Sequence, residues 1–129
     1  DDDYLIFNPD TLWSVNYLTE INDMQKFYFS NKLNNILLLT KKILSFDQNL
    51  GGDFELKNHL IKKNDNKNFI YTGCQILNKS LFKNYKVCNF SITKIWDKQL
   101  KENNLNGFES FNKFYHLTGL EIFKKLKDS

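Results

Sequence analysis

Four consecutive apolar residues stand near the start of the chain (residues 4–7, Tyr-Leu-Ile-Phe), and polar residues follow them at once (residues 8–10, Asn-Pro-Asp). A run that is apolar on both faces predicts a strand buried on both faces, as in a parallel sheet covered by helices. The polar residues would then lie at the carboxyl edge of the sheet, where open α/β sheets bind ligands. Asp10 is therefore expected to present a carboxylate at the mouth of a crevice, where it can hold a metal ion against phosphates.

The next segment changes to a helical pattern, for which Ser14 is a suitable N-cap. Apolar residues recur every three positions on one face of this predicted helix: Val15, Leu18, Ile21 and Met24. The helix is expected to end near residues 29–31. Residues 35–40 form a second apolar run, so the order strand, helix, strand predicts a βαβ unit.

The middle of the chain predicts a small antiparallel excursion. Gly51-Gly52 indicates a turn, and residues 53–57 alternate between apolar and polar as an exposed strand does. His59 falls in this excursion and is expected on the surface or in a loop.

A third apolar run, residues 69–77, predicts another buried strand, which Thr72-Gly73 interrupts. A glycine inside a strand marks a bulge or a close approach of the backbone to a ligand, and a twist or packing point is the alternative. Beyond it the pattern predicts a helical turn at 79–83, a helix capped by Ser91 and ending near 103–104, short strands at 105–108 and 114–117, and a last helix at 119–127.

Composition narrows the class of protein. A chain of 129 residues is expected to form one domain, residues 1–129, and 41% hydrophobic with 16% aromatic residues argues against disorder. No apolar stretch is long enough to span a membrane, so no membrane partner is expected. Cys74 and Cys88 lack metal-ligand spacing and suit a reducing cytosol, which predicts a cytoplasmic protein. The net charge of +3 comes from scattered lysines, which favours solvated faces over a nucleic-acid surface.

Two absences bear on phosphate chemistry. The chain contains no arginine, so any phosphate clamp must use lysine or backbone N–H groups. It also begins without methionine, in an apparent loop just before a strand, and is therefore expected to be a fragment of a longer protein.

Five motifs follow one another along the chain: Asn-Pro-Asp-Thr (residues 8–11), Gly-Asp-Phe (52–54), Phe-Ile-Tyr-Thr-Gly-Cys-Gln-Ile (69–76), Phe-Ser-Ile-Thr-Lys-Ile-Trp-Asp (90–97) and His-Leu-Thr-Gly-Leu-Glu (116–121). In this order the chain resembles the sugar-1-phosphate nucleotidyltransferases, above all the N-acetylmuramate α-1-phosphate uridylyltransferases and mannose-1-phosphate guanylyltransferases. The resemblance covers essentially all 129 residues. It implies a Rossmann-like α/β fold with a mostly parallel mixed sheet flanked by helices.

The resemblance also implies a reaction and a site. These enzymes join a nucleoside triphosphate to a sugar 1-phosphate and release pyrophosphate. Asp10 stands where the family has a Mg²⁺ ligand, and Thr72 and Gly73 stand where it contacts the sugar. His116 stands where a second metal-binding carboxylate is usual. Imidazole suits softer metals than Mg²⁺, so His116 could ligate a metal, bond a phosphate or pack.

The family's N-terminal unit, with its Gly-rich phosphate loop, catalytic arginine and lysine, has no counterpart in this sequence. The chain is therefore expected to be the C-terminal, sugar-binding part of a nucleotidyltransferase and to be inactive alone. The alternative is a non-catalytic module that binds a sugar phosphate or a partner chain.

Overall fold

The computed structural model describes residues 2–8, 11, 13–64, 66–82 and 92–115. The described elements are β1 (Asp3–Phe7), α1 (Val15–Ser30), β2 (Asn35–Lys41), β3 (Glu55–Lys57), β4 (Leu60–Lys62), β5 (Phe69–Asn78), α2 (Ile92–Lys101) and β6 (Gly107–Ser110). Short 3-10 turns occupy Lys42–Leu44 and Lys79–Phe82, the second of which matches the predicted helical turn. No described helix has the length and apolar character needed to cross a membrane.

Four of the described strands form one mixed sheet in the order β1-β5-β2-β6. β5 pairs antiparallel with both β1 and β2, whereas β2 pairs parallel with β6. β1, β2 and β6 therefore point the same way, and β5 alone is reversed. The α/β class and the mixed sheet are confirmed. The sheet was expected to be mostly parallel, which is wrong for the described strands: β5 lies inside the sheet in the reverse direction and forms two of the three strand pairings, both antiparallel.

The predicted βαβ unit is present with one strand inserted. β1 and β2 share a direction and α1 connects them, but β5 lies between them in the sheet. β2 is the strand that fits the prediction of burial on both faces, since its residues are buried from Asn35 to Thr40.

β1 departs from its prediction. It is the edge strand of the described sheet, and Leu5 and Phe7 are 38% and 43% exposed. The interpretation of β1 as a strand buried on both faces is therefore wrong. An apolar run shows that a strand can be buried on both faces, but it does not show whether neighbouring elements cover it.

Helix α1 packs one stripe of side chains on the sheet. The buried residues on this stripe are Tyr17, Ile21, Met24 and Tyr28, and they meet a core of Ile36, Leu38, Cys74 and Ile76 from β2 and β5. Ile21 and Met24 were predicted on this face. Val15 and Leu18 were predicted there too, but they are 77% and 61% exposed. An α-helix has 3.6 residues per turn, so positions spaced strictly three apart drift away from the face that is buried in the structure.

The other face of the sheet carries a second core. It contains Leu37, Leu39, Phe54, Ile61, Phe69 and Leu105, with Trp96 and Leu100 of α2 packed against it. The predicted antiparallel excursion is confirmed as the β3–β4 pair, and the predicted helix near 92–104 is confirmed as α2. The excursion covers this core from one side.

The last part of the chain agrees less closely. The strand expected at 105–108 lies at Gly107–Ser110, where β6 pairs with β2. Of the strand expected at 114–117, Phe114 makes a single bridge to Ser45. Ser91 and the helix at 119–127 lie outside the described residues.

The buried thiol of Cys74 leads to the first testable prediction. Burial raises the pKa of Cys74 from 9.0 to about 12, which lowers its thiolate fraction at neutral pH by roughly a thousandfold. A Cys88→Ser variant is expected to react with Ellman's reagent only on unfolding, releasing one thiol in denaturant and almost none in buffer. Rapid reaction of the native variant would contradict the burial of Cys74 against α1.

Candidate functional site

The end of β1 meets the middle of β5. Phe7 pairs with Cys74, and the ladder continues by one bond, in which the Asn8 N–H donates to the Gly73 carbonyl oxygen at 2.7 Å. Asn8, the first residue after β1, therefore lies beside Gly73, and Thr11 contacts Thr72. Two segments that the sequence singled out separately therefore meet at the carboxyl edge of β1.

Gly73 lies in a bulge. Leu37 pairs with Gln75 and Leu39 pairs with Tyr71, so three residues of β5 face the single residue Leu38 of β2. The bulge predicted at this glycine is confirmed, and it bends β5 where the strand passes β1.

Glycine is required at this position for two reasons. Its φ is +100°, a conformation that L side chains rarely adopt. A Cβ at Gly73 would also lie 2.7 Å from the Cβ of Asn8. The close approach is therefore between two segments of the chain, and it holds Asn8 against β5.

Thr72 joins three segments through its two oxygens. Its hydroxyl donates to the Leu38 carbonyl oxygen at 2.8 Å, and its own carbonyl oxygen accepts the Thr11 hydroxyl at 2.7 Å. Both threonines are buried. Thr72 thus fixes the bulge to β2 and fixes residue 11 to β5, so the backbone on either side of residues 9–10 is anchored at Asn8 and at Thr11.

A cavity of about 180 Å³ opens at this junction. The described residues that line it are Asn8, Thr11, Leu50, Gly51, Asp53, Ile70, Tyr71, Thr72 and Phe114. It lies where β1 ends and β5 begins, which is the edge of the sheet where the sequence predicted a crevice.

A second cavity of about 290 Å³ adjoins the first, because Asp53 and Tyr71 line both. Its other described lining residues are Gly52, Phe54, Lys63, Lys67, Thr93, Trp96 and Asp97. The rings of Tyr71 and Trp96 meet edge to face with centroids 5.0 Å apart. The two cavities together offer an aromatic wall, a few polar groups and two lysines, the mixture typical of sites for small polar ligands.

Tyr71 presents a phenol that stays neutral. Burial is the largest cause that raises its pKa well above the ordinary range of tyrosine, and the neighbouring Cys74 adds to the rise. The hydroxyl oxygen is buried and has no partner of good hydrogen-bond geometry among the described residues. The phenol therefore stays neutral at physiological pH, with its hydroxyl enclosed beside the Gln75 side chain.

The predicted site residues divide into two groups. Thr72 and Gly73 stand at the junction, both buried, and Thr72 lines the first cavity. Asp10 and His116 lie outside the described residues. Within the described ranges no group of three His, Cys, Asp or Glu side chains could hold a metal ion.

Asp53 is a residue of this region to which the sequence assigned no role. It belongs to the Gly-Asp-Phe motif, which marked a turn and a strand but no chemistry. Its place in the cavity depends on the pairing of residue 54 with residue 69, a contact that no local pattern reveals. His59, by contrast, is in the β3–β4 turn as predicted, where its ring stacks on Phe27 and it lines a different cavity.

No protein-family model and no curated protein matches this chain. Solved structures do match it. A protein from Bacillus anthracis described as a glucose-1-phosphate thymidylyltransferase superposes with a TM-score of 0.71 at 16% identity, over 98% of this chain and 54% of that one. The apo form of a UDP-glucose pyrophosphorylase superposes with a TM-score of 0.67 at 16% identity, over 98% and 53%.

HddC from Yersinia pseudotuberculosis superposes with a TM-score of 0.59 at 15% identity, over 98% of this chain and 56% of that one. The fold of the chain is therefore that of the sugar-1-phosphate nucleotidyltransferases, as the motif order predicted. The chain spans about half the length of these structures.

Proposed function

We propose that this chain is the sugar-binding part of a sugar-1-phosphate nucleotidyltransferase. Such an enzyme transfers a nucleoside monophosphate from a nucleoside triphosphate to a sugar 1-phosphate and releases pyrophosphate. The observation that carries the proposal is the meeting of Asn8 and Thr11 with Thr72–Gly73 at a cavity on the carboxyl edge of the sheet, within a fold shared with such enzymes. Ligands of open α/β sheets bind at such an edge.

The described residues suit a sugar phosphate. The Tyr71 and Trp96 rings can face the sugar ring. Lys63 and Lys67 line the adjoining cavity and can attract the phosphate in a chain that has no arginine. The two cavities thus offer separate surroundings for the two parts of the ligand.

The reaction needs no protein nucleophile. An oxygen of the sugar phosphate attacks the α-phosphorus of the nucleotide, and pyrophosphate leaves in line with it. Mg²⁺ held by Asp10 would screen the phosphate charges. The residues of this chain bind and orient the sugar phosphate for that attack.

The nucleotide-binding part of the reaction is assigned to polypeptide outside these 129 residues, which hold no Gly-rich phosphate loop and no arginine. The exposed β1 supports such a partner, because Leu5 and Phe7 present apolar surface along a sheet edge. The chain alone is therefore expected to bind sugar phosphate without catalysing the transfer.

Calorimetric titration of the full 129-residue chain with α-D-glucose 1-phosphate, with and without Mg²⁺, tests this proposal. Binding is expected, and Mg²⁺ is expected to tighten it. Asp10→Asn is expected to weaken the Mg²⁺-dependent binding by at least about tenfold, since even the partners of metal ligands contribute that much to metal affinity. Asp23→Asn makes the same chemical change on α1 beside a different cavity and should leave binding unchanged.

Two results would count against the proposal. Binding that ignores both Mg²⁺ and Asp10→Asn would favour a non-catalytic sugar-phosphate module. Absence of any binding to α-D-glucose 1-phosphate, under conditions where circular dichroism shows a folded chain, would overturn the assignment of the cavity to sugar phosphate.

A further inference from the structure

We propose that Asp53 selects among sugars by accepting a hydrogen bond from one hydroxyl of the sugar ring. The inference rests on the proposed function, because it assigns a role within the same cavity. Asp53 lines both the first and the second cavity, so its side chain stands at their boundary. It is the only charged side chain among the described residues that line the first cavity.

The chain holds Asp53 in place before any ligand arrives. Its backbone N–H donates to the Phe69 carbonyl oxygen at 2.8 Å, and the next residue, Phe54, exchanges two hydrogen bonds with Phe69. One carboxylate oxygen, Oδ2, accepts the Tyr71 N–H at 3.0 Å. A carboxylate fixed in this way loses little further freedom when a ligand binds, so most of the ligand hydrogen bond appears as affinity.

The two threonine side chains of the first cavity direct their hydrogens elsewhere. The Thr11 hydroxyl donates to the Thr72 carbonyl, and the Thr72 hydroxyl donates to the Leu38 carbonyl. Asp53 accepts one described side-chain hydrogen bond and, as a carboxylate, has room for more. Hydroxyl groups are the donors that a sugar supplies in abundance. Asp53 is therefore the strongest acceptor available to a sugar ring in this cavity.

Charge also orders the ligand along the two cavities. The Asp53 carboxylate repels a phosphate, as does that of Asp97 in the second cavity, whereas Lys63 and Lys67 in the second cavity attract one. The ring of a sugar phosphate is accordingly expected against Asp53 with its phosphate toward the lysines. A sugar that lacks the contacted hydroxyl would offer the carboxylate no donor at this point and is therefore expected to bind more weakly.

Asp53→Asn tests the proposal because it can keep the hydrogen bond from the Tyr71 N–H while removing the proposed one from the sugar hydroxyl. The asparagine carbonyl oxygen can still accept the Tyr71 N–H, while the amide puts a donor where the second carboxylate oxygen was. We propose titrating the full chain, wild type and Asp53→Asn, with α-D-glucose 1-phosphate and its 2-, 3-, 4- and 6-deoxyfluoro analogues. Fluorine removes the donated hydrogen of one hydroxyl at a time.

One analogue is expected to bind the wild type about tenfold to a hundredfold more weakly than the parent sugar, the range for a hydrogen bond to a charged group. The affinities of Asp53→Asn for the same analogue and for the parent sugar are expected to lie within about threefold of each other. The variant already lacks the hydrogen bond from the sugar hydroxyl to the carboxylate, so removing that hydroxyl costs no further affinity. Asp23→Asn, which alters a carboxylate beside a different cavity, should keep the wild-type pattern.

The outcomes separate the two proposals. If the wild type binds α-D-glucose 1-phosphate and Asp53→Asn discriminates among the analogues as the wild type does, the role of Asp53 is overturned and the proposed function stands. If the wild type binds neither the parent sugar nor any analogue, both proposals fail. Equal urea midpoints for wild type and Asp53→Asn would show that any loss of discrimination is not a loss of fold.

Discussion

Replacing Gly73 with alanine is expected to lower the free energy of unfolding by about 2–4 kcal/mol and to weaken α-D-glucose 1-phosphate binding by at least about tenfold. The φ of +100° at Gly73 penalises any side chain. The new methyl would also stand 2.7 Å from the Cβ of Asn8, well inside van der Waals contact, so one of the two segments must move.

Asn8 cannot yield freely. Its N–H donates to the Gly73 carbonyl at 2.7 Å, and its own carbonyl accepts the indole N–H of Trp13 at 3.1 Å. Trp13 is in turn packed edge to face against Phe7 and Tyr17. A displacement of Asn8 would therefore move the wall of the first cavity, which is why binding should fall together with stability.

Urea unfolding and calorimetric titration measure the two effects. Gly51→Ala is the matched control, because Gly51 lines the same cavity but a Cβ there would meet nothing within 4 Å. Gly51→Ala should lower the free energy of unfolding by less than about 0.5 kcal/mol. Equal behaviour of the two alanine variants would show that the contact between Gly73 and Asn8 does not constrain the chain.

The sequence predicted the elements that are determined by residues adjacent to one another along the chain. The burial of β2 follows from the four consecutive apolar residues at 36–39, between Asn35 and Thr40. The turn at Gly51-Gly52 and the alternation after it led to the β3–β4 pair, and the glycine inside β5 indicated the bulge. In each case the determining residues are neighbours along the chain.

What escaped prediction depends on residues far apart. β1 and β2 are both apolar runs, yet one lies at the described edge and the other inside, because β5 enters the sheet between them in the reverse direction. Asp53 reaches the cavity only because Phe54 pairs with Phe69. Local pattern contains neither the order nor the direction of strands, so the junction of Asn8 and Thr11 with Thr72–Gly73 could be expected only through the resemblance.

The reversed strand explains why the site and the core are linked. β5 contributes Thr72 and Tyr71 to the cavity and Cys74 and Ile76 to the core under α1, within six residues. Alternation along the strand allows this, since Tyr71 packs against the core on the α2 face whereas Cys74 and Ile76 belong to the core under α1. Substitutions a few positions apart should therefore separate binding from stability.

A substitution at Leu38 is expected to lower stability without weakening ligand binding, unlike the substitution at Gly73, which should do both. The Leu38 side chain is fully buried in the core under α1, together with Met24, Ile36 and Ile76. Leu38→Ala is expected to lower the free energy of unfolding by about 2–5 kcal/mol, because it removes apolar contacts and leaves a cavity that β2, inside the sheet, cannot close. That is a large share of the roughly 5–15 kcal/mol typical of small domains.

Leu18→Ala is the matched control, since Leu18 lies on α1 with 61% of its surface exposed and should cost less than about 0.5 kcal/mol. The midpoint of urea unfolding measures both variants. Leu38 contributes to the cavity only through its backbone carbonyl, which accepts the Thr72 hydroxyl. Leu38→Ala should therefore bind α-D-glucose 1-phosphate with wild-type affinity wherever it is folded. A loss of binding without a loss of stability would show that the side chain of Leu38 faces the site and not the core.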